Sequence, residues 1–192
     1  MVSKQAEIVK RLTDKELLLN LYITQFIIIV AVFLLSRIIQ GDWFFVFTLF
    51  FWEWKHALLG GFVALIIVVI ELLLVKVVPR SWLDDGGVNE RVFQKRSPIH
   101  ILIIASIVGI SEELLFRGVL QASFGIIPAS LLFALIHIRY LQNFFLFSFT
   151  IGLSFLLGLL FIYTGNLLTV IVSHIVIDLL LGLAIRYKIY KF

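Results

Sequence analysis

The sequence contains no cysteine, which excludes disulfide bonds and thiol chemistry. Charged residues are also scarce, at 15% of the 192 residues. No basic stripe alternates with aromatic residues, so nucleic acid is not expected as a partner. Apolar residues, by contrast, make up 61% of the chain, whereas a soluble domain is roughly half apolar. We therefore expect an integral membrane protein in contact with the lipid bilayer.

Long apolar runs predict an all-α fold, a polytopic membrane helix bundle with about six transmembrane helices, because each run approaches the roughly 20 residues that a helix needs to cross the hydrocarbon layer. The stretch Trp43–Trp52 is too short to cross and is typical of a membrane interface. Residues 2–19 suit a helix that lies on the membrane surface. The predicted spans are Leu17–Ser36, Ala57–Val78, a third that begins near Pro98, Ile126–Ile138, Phe144–Tyr163 and Leu167–Arg186.

Basic residues divide unevenly between the two sides of the predicted bundle. Of the 16 Lys and Arg residues, 13 lie on the side that holds both termini, Arg37 and Lys55 lie on the other, and Arg117 is inside a span. Because cytoplasmic loops carry an excess of Lys and Arg, both termini are expected in the cytoplasm. The small size and the lack of a eukaryotic targeting signal favour a bacterial cytoplasmic membrane.

Ionisable side chains interrupt three of the apolar runs. Such groups cost several kcal/mol inside a bilayer, so by default they face a polar cavity and carry function, either in an enzyme or in the proton relay of a transporter. A structural role is the alternative, since a lone Glu–Arg pair can join two helices. Glu71, near Lys76 at the end of its span, is expected to be structural. The candidate functional residues are Glu112, Glu113, Arg117, His137, His174 and Asp178.

Helical spacing assigns these residues to faces. Glu113 and Arg117 are i,i+4 neighbours and can form an ion pair. Glu112 points about 100° away from that face, so its carboxylate remains available to act as a base. His174 and Asp178 share a face in the same way. Carboxylates and imidazoles collected in one small membrane protein favour hydrolytic or metal-binding chemistry over a purely structural role. The sequence has neither G-x-S-x-G nor H-E-x-x-H, so a serine nucleophile and a zincin-like site have no support.

Three short motifs resemble those of the CPBP intramembrane protease family, which includes type II CAAX prenyl endopeptidases and bacterial proteins linked to bacteriocin self-immunity. The resemblance covers residues 98–186 and implies a catalytic core at residues 98–192. Residues 1–97 would then hold the surface helix, the first two spans and a cytoplasmic loop. The motifs are E-E-x-x-x-R from Glu112 to Arg117, F-x-x-x-H from Phe133 to His137, and H-x-x-x-[N/D] from His174 to Asp178.

The resemblance implies an intramembrane glutamate-dependent endopeptidase that cleaves a peptide or a small membrane-associated protein. Glu112 and His137 would activate a water molecule, His174 and Asp178 would stabilise the oxyanion, and the remaining Glu–Arg pair would orient the site. The alternative is a non-catalytic immunity or partner-binding protein with a protease-like core.

Asp178 departs from the asparagine that eukaryotic CAAX enzymes carry at this position. An ionised aspartate cannot donate a hydrogen bond to an oxyanion. A protonated aspartate could donate one, and either form could instead orient His174 or bind a metal. The cofactor is left open, with zinc or another divalent metal ion as the candidate. Its candidate ligands are Glu112, His137, His174 and Asp178.

The motif residues would lie at different depths in the membrane if every helix were straight and every basic residue marked the membrane surface. At about 1.5 Å per residue, the first motif glutamate lies roughly 24 Å from Arg96, but His137 lies only about 3 Å from Arg139. We therefore expect either a short or tilted fourth helix, broken near Gly125 and Pro128, or spans that are shifted from the predicted bounds.

Overall fold

The structure is a computed structural model that describes residues 11–189, and within that range its regular structure is helical, without β-strands. The α-helices of six residues or more in this range are α1 Asp14–Leu35, α2 Trp54–Val77, α3 Val88–Phe93, α4 Pro98–Glu113, α5 Ile126–Ile136, α6 Phe144–Thr164 and α7 Leu167–Arg186. Two π-helical segments continue helices without a break, Ser36–Gln40 after α1 and Leu114–Gln121 after α4. The stretch after α1 does not cross the bundle and contains a short 3₁₀ helix, Phe45–Leu49.

Polar side chains start the helices where a loop gives way to an apolar run. Thr13 accepts a hydrogen bond from the backbone N–H of Glu16, and the Glu16 carboxylate accepts one from the backbone N–H of Thr13, so a capping box opens α1. Ser97 caps α4, and Pro98 occupies its first turn. Asn166 caps α7 in the same way. These caps set the residue at which each apolar run becomes helical.

Five helical stretches within residues 11–189 are long and apolar enough to cross a membrane, which confirms the predicted all-α polytopic bundle of an integral membrane protein. The fourth predicted span differs, because α5 has only 11 residues and reaches about 16 Å. The placement of both termini in the cytoplasm stays a prediction. Of the predicted surface helix, residues 2–10 lie outside the described residues, and the part from Asp14 onward belongs to α1. The stretches are Asp14–Gln40, Trp54–Val77, Pro98–Phe124, Phe144–Thr164 and Leu167–Arg186.

Gly125 separates the long α4 stretch from the short α5. Its φ of 86° lies in the left-handed region that glycine adopts without steric cost, and the chain turns there as expected. Pro128, however, lies in the first turn of α5, where proline is tolerated because the backbone N–H would have no partner inside the helix. The predicted break at Pro128 was therefore wrong.

The loop after α5 turns back into the protein. Arg139 is half-buried, with Nη1 3.8 Å from Oδ2 of Asp85 and Nη2 3.2 Å from the side-chain oxygen of Asn89, in the loop and helix that precede α4. Asn143 donates to the carbonyl of Ser81 at 3.4 Å. The predicted short fourth helix is present, because α5 has only 11 residues. Arg139, which follows it, is held by polar groups of the protein.

Helix α7 is the centre of the bundle, because α2 and α4 both pack against it at very short range. A Cβ atom added to Gly60 of α2 would lie 2.2 Å from the carbonyl oxygen of Thr169 in α7. A Cβ atom added to Gly109 of α4 would lie 2.9 Å from Cγ1 of Ile175. Small residues let membrane helices approach backbone to backbone. Gly109 lies one turn before the carboxylate pair of α4, so its contact brings that pair up to α7.

Gly60→Ala should destabilise the bundle, because the new methyl group would meet a backbone oxygen that cannot move aside. Overpacking of this kind costs about 1–3 kcal/mol. The neighbouring change Gly61→Ala is the control, since a Cβ atom there meets nothing within 4 Å. We expect a lower thermal unfolding midpoint in detergent for the first variant only. Equal midpoints for the two variants would contradict the close contact of α2 and α7.

Candidate active site

The carboxylate of Glu113 joins α4 to α7 at the centre of the protein. Its side chain is fully buried, and Oε1 lies 2.7 Å from Nδ1 of His174 and 3.0 Å from Nη1 of Arg117. A carboxylate in this position accepts both hydrogen bonds, so Nδ1 of His174 carries a proton. The predicted i,i+4 pair of Glu113 and Arg117 is therefore present, and it holds a histidine that lies 61 residues further along the chain.

Arg117 is held on its other side by α6. Its Nη2 atom donates to the carbonyl oxygen of Ser154 at 3.0 Å and approaches the Ser154 hydroxyl at 3.1 Å. The guanidinium group also lies 5.0 Å from the ring centroid of Phe133, within the range of a cation–π contact. Arg117 belongs to the π-helical segment after α4, and π-helical segments are frequent at functional sites. Sequence reasoning missed Ser154, because a lone serine in an apolar run gives no signal.

His137 ends α5 and presents one free ring nitrogen. Its Nδ1 atom lies 2.7 Å from the carbonyl oxygen of Phe133, which can only accept, so Nδ1 is the donor. In a neutral ring Nε2 is then an acceptor. The ring packs between Phe133, at 4.7 Å between centroids, and Tyr140, at 5.7 Å. These contacts fix the ring in one orientation with Nε2 available.

His174 and Asp178 face each other one turn apart on α7. Nε2 of His174 lies 3.7 Å from Oδ2 of Asp178, which is an ion-pair distance rather than a hydrogen bond. Nδ1 of the same ring is occupied by Glu113. The imidazole of His174 therefore lies between two carboxylates, one fully buried and one partly exposed.

Four of the six predicted site residues line one cavity of about 400 Å³. The other two, Glu113 and Arg117, lie behind its wall and support it. The structure thus brings the three motifs together, each from a different helix. Their catalytic roles stay predictions. The four residues that line the cavity are Glu112, His137, His174 and Asp178.

Glu71 and Gln25 are two of the cavity-wall residues that were not predicted as part of the site. Glu71 of α2, expected to be structural near Lys76, lines the cavity. Gln25 of α1 lines the same cavity, and its Oε1 atom lies 2.5 Å from Oγ of Ser111, the residue before Glu112. Only the packing of α1 and α2 around α4 and α7 places these side chains, so the spacing along each helix could not reveal them.

The four candidate metal ligands do not form a metal site by geometry. Within residues 11–189, no three His, Asp or Glu side chains lie close enough together to hold a metal ion. Nδ1 of His174 and Nδ1 of His137 are already engaged by other groups. The zinc or other divalent ion stays a prediction, and no chemical step is derived through it.

Comparison with known proteins agrees with the motifs. Residues 94–180 match a family model described as type II CAAX prenyl endopeptidase Rce1-like. The chain is also similar to the uncharacterized protein YpbD of Bacillus subtilis (strain 168). The two are 40% identical over 129 residues, which are 67% of this chain and 68% of that protein. The chain belongs to the Rce1-like, or CPBP, family. No solved structure matches the chain significantly.

Family membership confirms the resemblance seen in the motifs, and it supports a membrane-embedded, CAAX-protease-like endopeptidase with a peptide substrate in general. The match extends from just before α4 into α7 and includes all six predicted site residues. Helices α1 and α2 lie outside it, although Gln25 and Glu71 line the cavity. The division of the chain at residues 97 and 98 stays a prediction, but the cavity wall draws on both parts.

Arg117→Met should strongly destabilise the folded protein, because it leaves the Glu113 carboxylate buried without its guanidinium partner. Breaking a buried pair in this way costs about 3–5 kcal/mol. The double variant Glu113→Gln/Arg117→Met should be less destabilised than Arg117→Met alone, because it removes both charges. Arg37→Met is the matched control, since the Arg37 side chain is exposed and donates to the carbonyl of Gly41. The thermal unfolding midpoint in detergent is measured for all three variants. A double variant less stable than Arg117→Met would contradict the central ion pair.

Proposed function

We propose that this protein is an intramembrane glutamate-dependent endopeptidase that cleaves a peptide or a small membrane-associated protein. The observation that carries the proposal is the shared cavity, which Glu112, His137, His174 and Asp178 line together. Chemistry inside a bilayer needs water, and water needs a polar cavity enclosed by protein. Membership of the CPBP family supports the class of reaction.

Glu112 acts as the base. Its side chain is 6% exposed, and the exposed part faces the cavity rather than an ion-pair partner on its own helix. The carboxylate accepts a proton from a water molecule while the water oxygen bonds to the carbonyl carbon of the scissile peptide. His137 accepts the second hydrogen bond of that water through Nε2, because Nδ1 is occupied by Phe133. The proton on Glu112 then passes to the leaving amine nitrogen as the C–N bond breaks.

His174 and Asp178 lie where the negative charge on the carbonyl oxygen can be stabilised. Nδ1 of His174 donates to Glu113, so the ring can also donate from Nε2 only in its doubly protonated imidazolium form, and that N–H is directed toward the cavity. A donor fixed in this way stabilises an oxyanion without reorganisation during the reaction. Asp178 serves as a donor in its protonated form, as the family's asparagine would. Glu113 and Arg117 hold the imidazole in place and do not touch the substrate.

Glu112→Gln should abolish cleavage while the protein still folds, because glutamine keeps the shape of the side chain and loses the basic oxygen. Glu53→Gln, a glutamate at the start of α2 and outside the cavity lining, is the matched control. Mass spectrometry of peptides and membrane proteins from cells that express each variant measures the loss of product. Cleavage products that persist with Glu112→Gln would overturn the assignment of the base. A cellular phenotype that persists without any cleavage would favour the non-catalytic alternative.

Asp178→Asn should keep at least a large part of the activity, because the amide nitrogen can donate where a protonated carboxyl group donates. Asp178→Ala should lose about 100-fold or more in kcat, as the removal of one oxyanion donor typically does. Initial cleavage rates of the two variants test this role. If Asp178→Asn is as inactive as Asp178→Ala, the aspartate acts through its negative charge and not as a donor.

A further inference from the structure

Tyr140 stacks on the imidazole of His137 in the wall of the cavity. It ends the short 3₁₀ turn Ile138–Tyr140 that follows the histidine, and both side chains line the cavity. The planes of the two rings are 15° apart, with 5.7 Å between their centroids, which is within the range of an offset stack. The motif F-x-x-x-H ends at His137, so this contact lies outside the three motifs.

The hydrogen bond of His137 to its own helix fixes only one of the ring nitrogens. Nδ1 donates to the carbonyl oxygen of Phe133 at 2.7 Å. The tilt of the ring plane, and with it the direction of Nε2, then depends on the groups packed against the ring. Phe133 and Tyr140 both pack there, but the Phe133 plane is inclined by 36°, so the nearly parallel support comes from Tyr140.

Arg139 holds the Tyr140 ring by its hydroxyl group and by its π-system. The Nη2 atom of Arg139 donates to the Tyr140 hydroxyl at 2.7 Å, because a guanidinium group has donors only. The central guanidinium carbon lies 4.7 Å from the centroid of the same ring, within the range of a cation–π contact. These two contacts restrict the rotation of the tyrosine side chain.

The segment before α4 holds Arg139 in turn. Nη2 also donates to the side-chain oxygen of Asn89 at 3.2 Å, and Nη1 lies 3.8 Å from Oδ2 of Asp85. The Asp85 side chain is itself buried, and its Oδ2 atom accepts from the backbone N–H of Asn89 at 3.0 Å. A continuous set of contacts therefore connects His137 with a segment about 50 residues earlier in the chain.

We propose that Tyr140 is a positioning residue, which holds the His137 ring so that Nε2 faces the attacking water, and that Arg139 anchors it. This inference rests on the proposed function, in which His137 accepts a hydrogen bond from that water. A catalytic side chain keeps its geometry when packing and hydrogen bonds lock its neighbours. Misplacement by about 1 Å can lower a rate about 100-fold.

The test separates the aromatic ring of Tyr140 from its hydroxyl group. Tyr140→Leu removes the stack, so we expect kcat to fall about 10- to 100-fold with KM unchanged. Tyr140→Phe keeps the stack and should recover most of the rate, whereas a Tyr140→Phe as slow as Tyr140→Leu would overturn the role of the ring. Arg139→Lys keeps a positive charge opposite Asp85 and should not lower kcat further when combined with Tyr140→Leu. Independent effects of the two changes would overturn the role of Arg139 as the anchor.

Tyr163→Leu is the matched control. Tyr163 lies near the end of α6, is 81% exposed and is outside the cavity lining, so this variant should keep the wild-type kcat. Rates are measured on a synthetic peptide that spans a cleavage site found by comparing wild-type and Glu112→Gln membranes. A wild-type kcat in Tyr140→Leu, with or without a change in KM, would overturn the positioning role while the proposed function stands.

Nuclear magnetic resonance of the histidine rings gives a readout that does not depend on turnover. The chain has four histidines, and His137→Gln identifies the ring signals of His137 by their loss. The ring current of Tyr140 should move these proton signals upfield in wild type and in Tyr140→Phe, but not in Tyr140→Leu. A through-space contact between the ring protons of His137 and Tyr140 is expected in wild type, and its absence would overturn the stack even if Tyr140→Leu does not fold. If wild type and Glu112→Gln show the same cleavage pattern, the proposed function fails, and the positioning role fails with it.

Discussion

The buried carboxylate of Glu113 is the interaction on which the rest of the site depends. A carboxylate away from water is costly unless it is paired and hydrogen-bonded. Here it accepts from Arg117 on its own helix and from His174 on α7, at 3.0 and 2.7 Å. The bond to His174 needs α4 and α7 in one register, and Gly109 permits that close approach. The pair therefore fixes the imidazole of His174 and, through the helix backbone, the adjacent Glu112.

The short helix α5 and the loop after it place His137 beside the Glu113–His174 interaction. Gly125 and the 11 residues of α5 bring His137 to the cavity that Glu112 also lines. Arg139 then ties the following loop to Asp85, so the chain after His137 turns inward. The cavity is bounded by helices on its sides and by this loop at one end. A cavity that brings carboxylate and imidazole groups together, such as this one, is what hydrolysis within a membrane requires.

Local spacing predicted the parts of the site that depend on one helix. The pairs Glu113–Arg117 and His174–Asp178 follow from the i,i+4 rule, and both are present. The short fourth helix followed from depth, although the break at Pro128 did not occur. Gln25 and Glu71 could not be predicted, because their place in the cavity wall depends on how α1 and α2 pack, which no single-helix pattern contains.

The most direct test of the account is a double-mutant cycle between Glu113 and His174, whose Oε1 and Nδ1 atoms lie 2.7 Å apart between α4 and α7. Thermal unfolding in detergent is measured for wild type, Glu113→Gln, His174→Ala and the double variant. The account predicts that the two changes are coupled by about 0.5–3 kcal/mol in the free energy of unfolding, as is typical of residues in contact. Additive effects of the two changes would contradict the account.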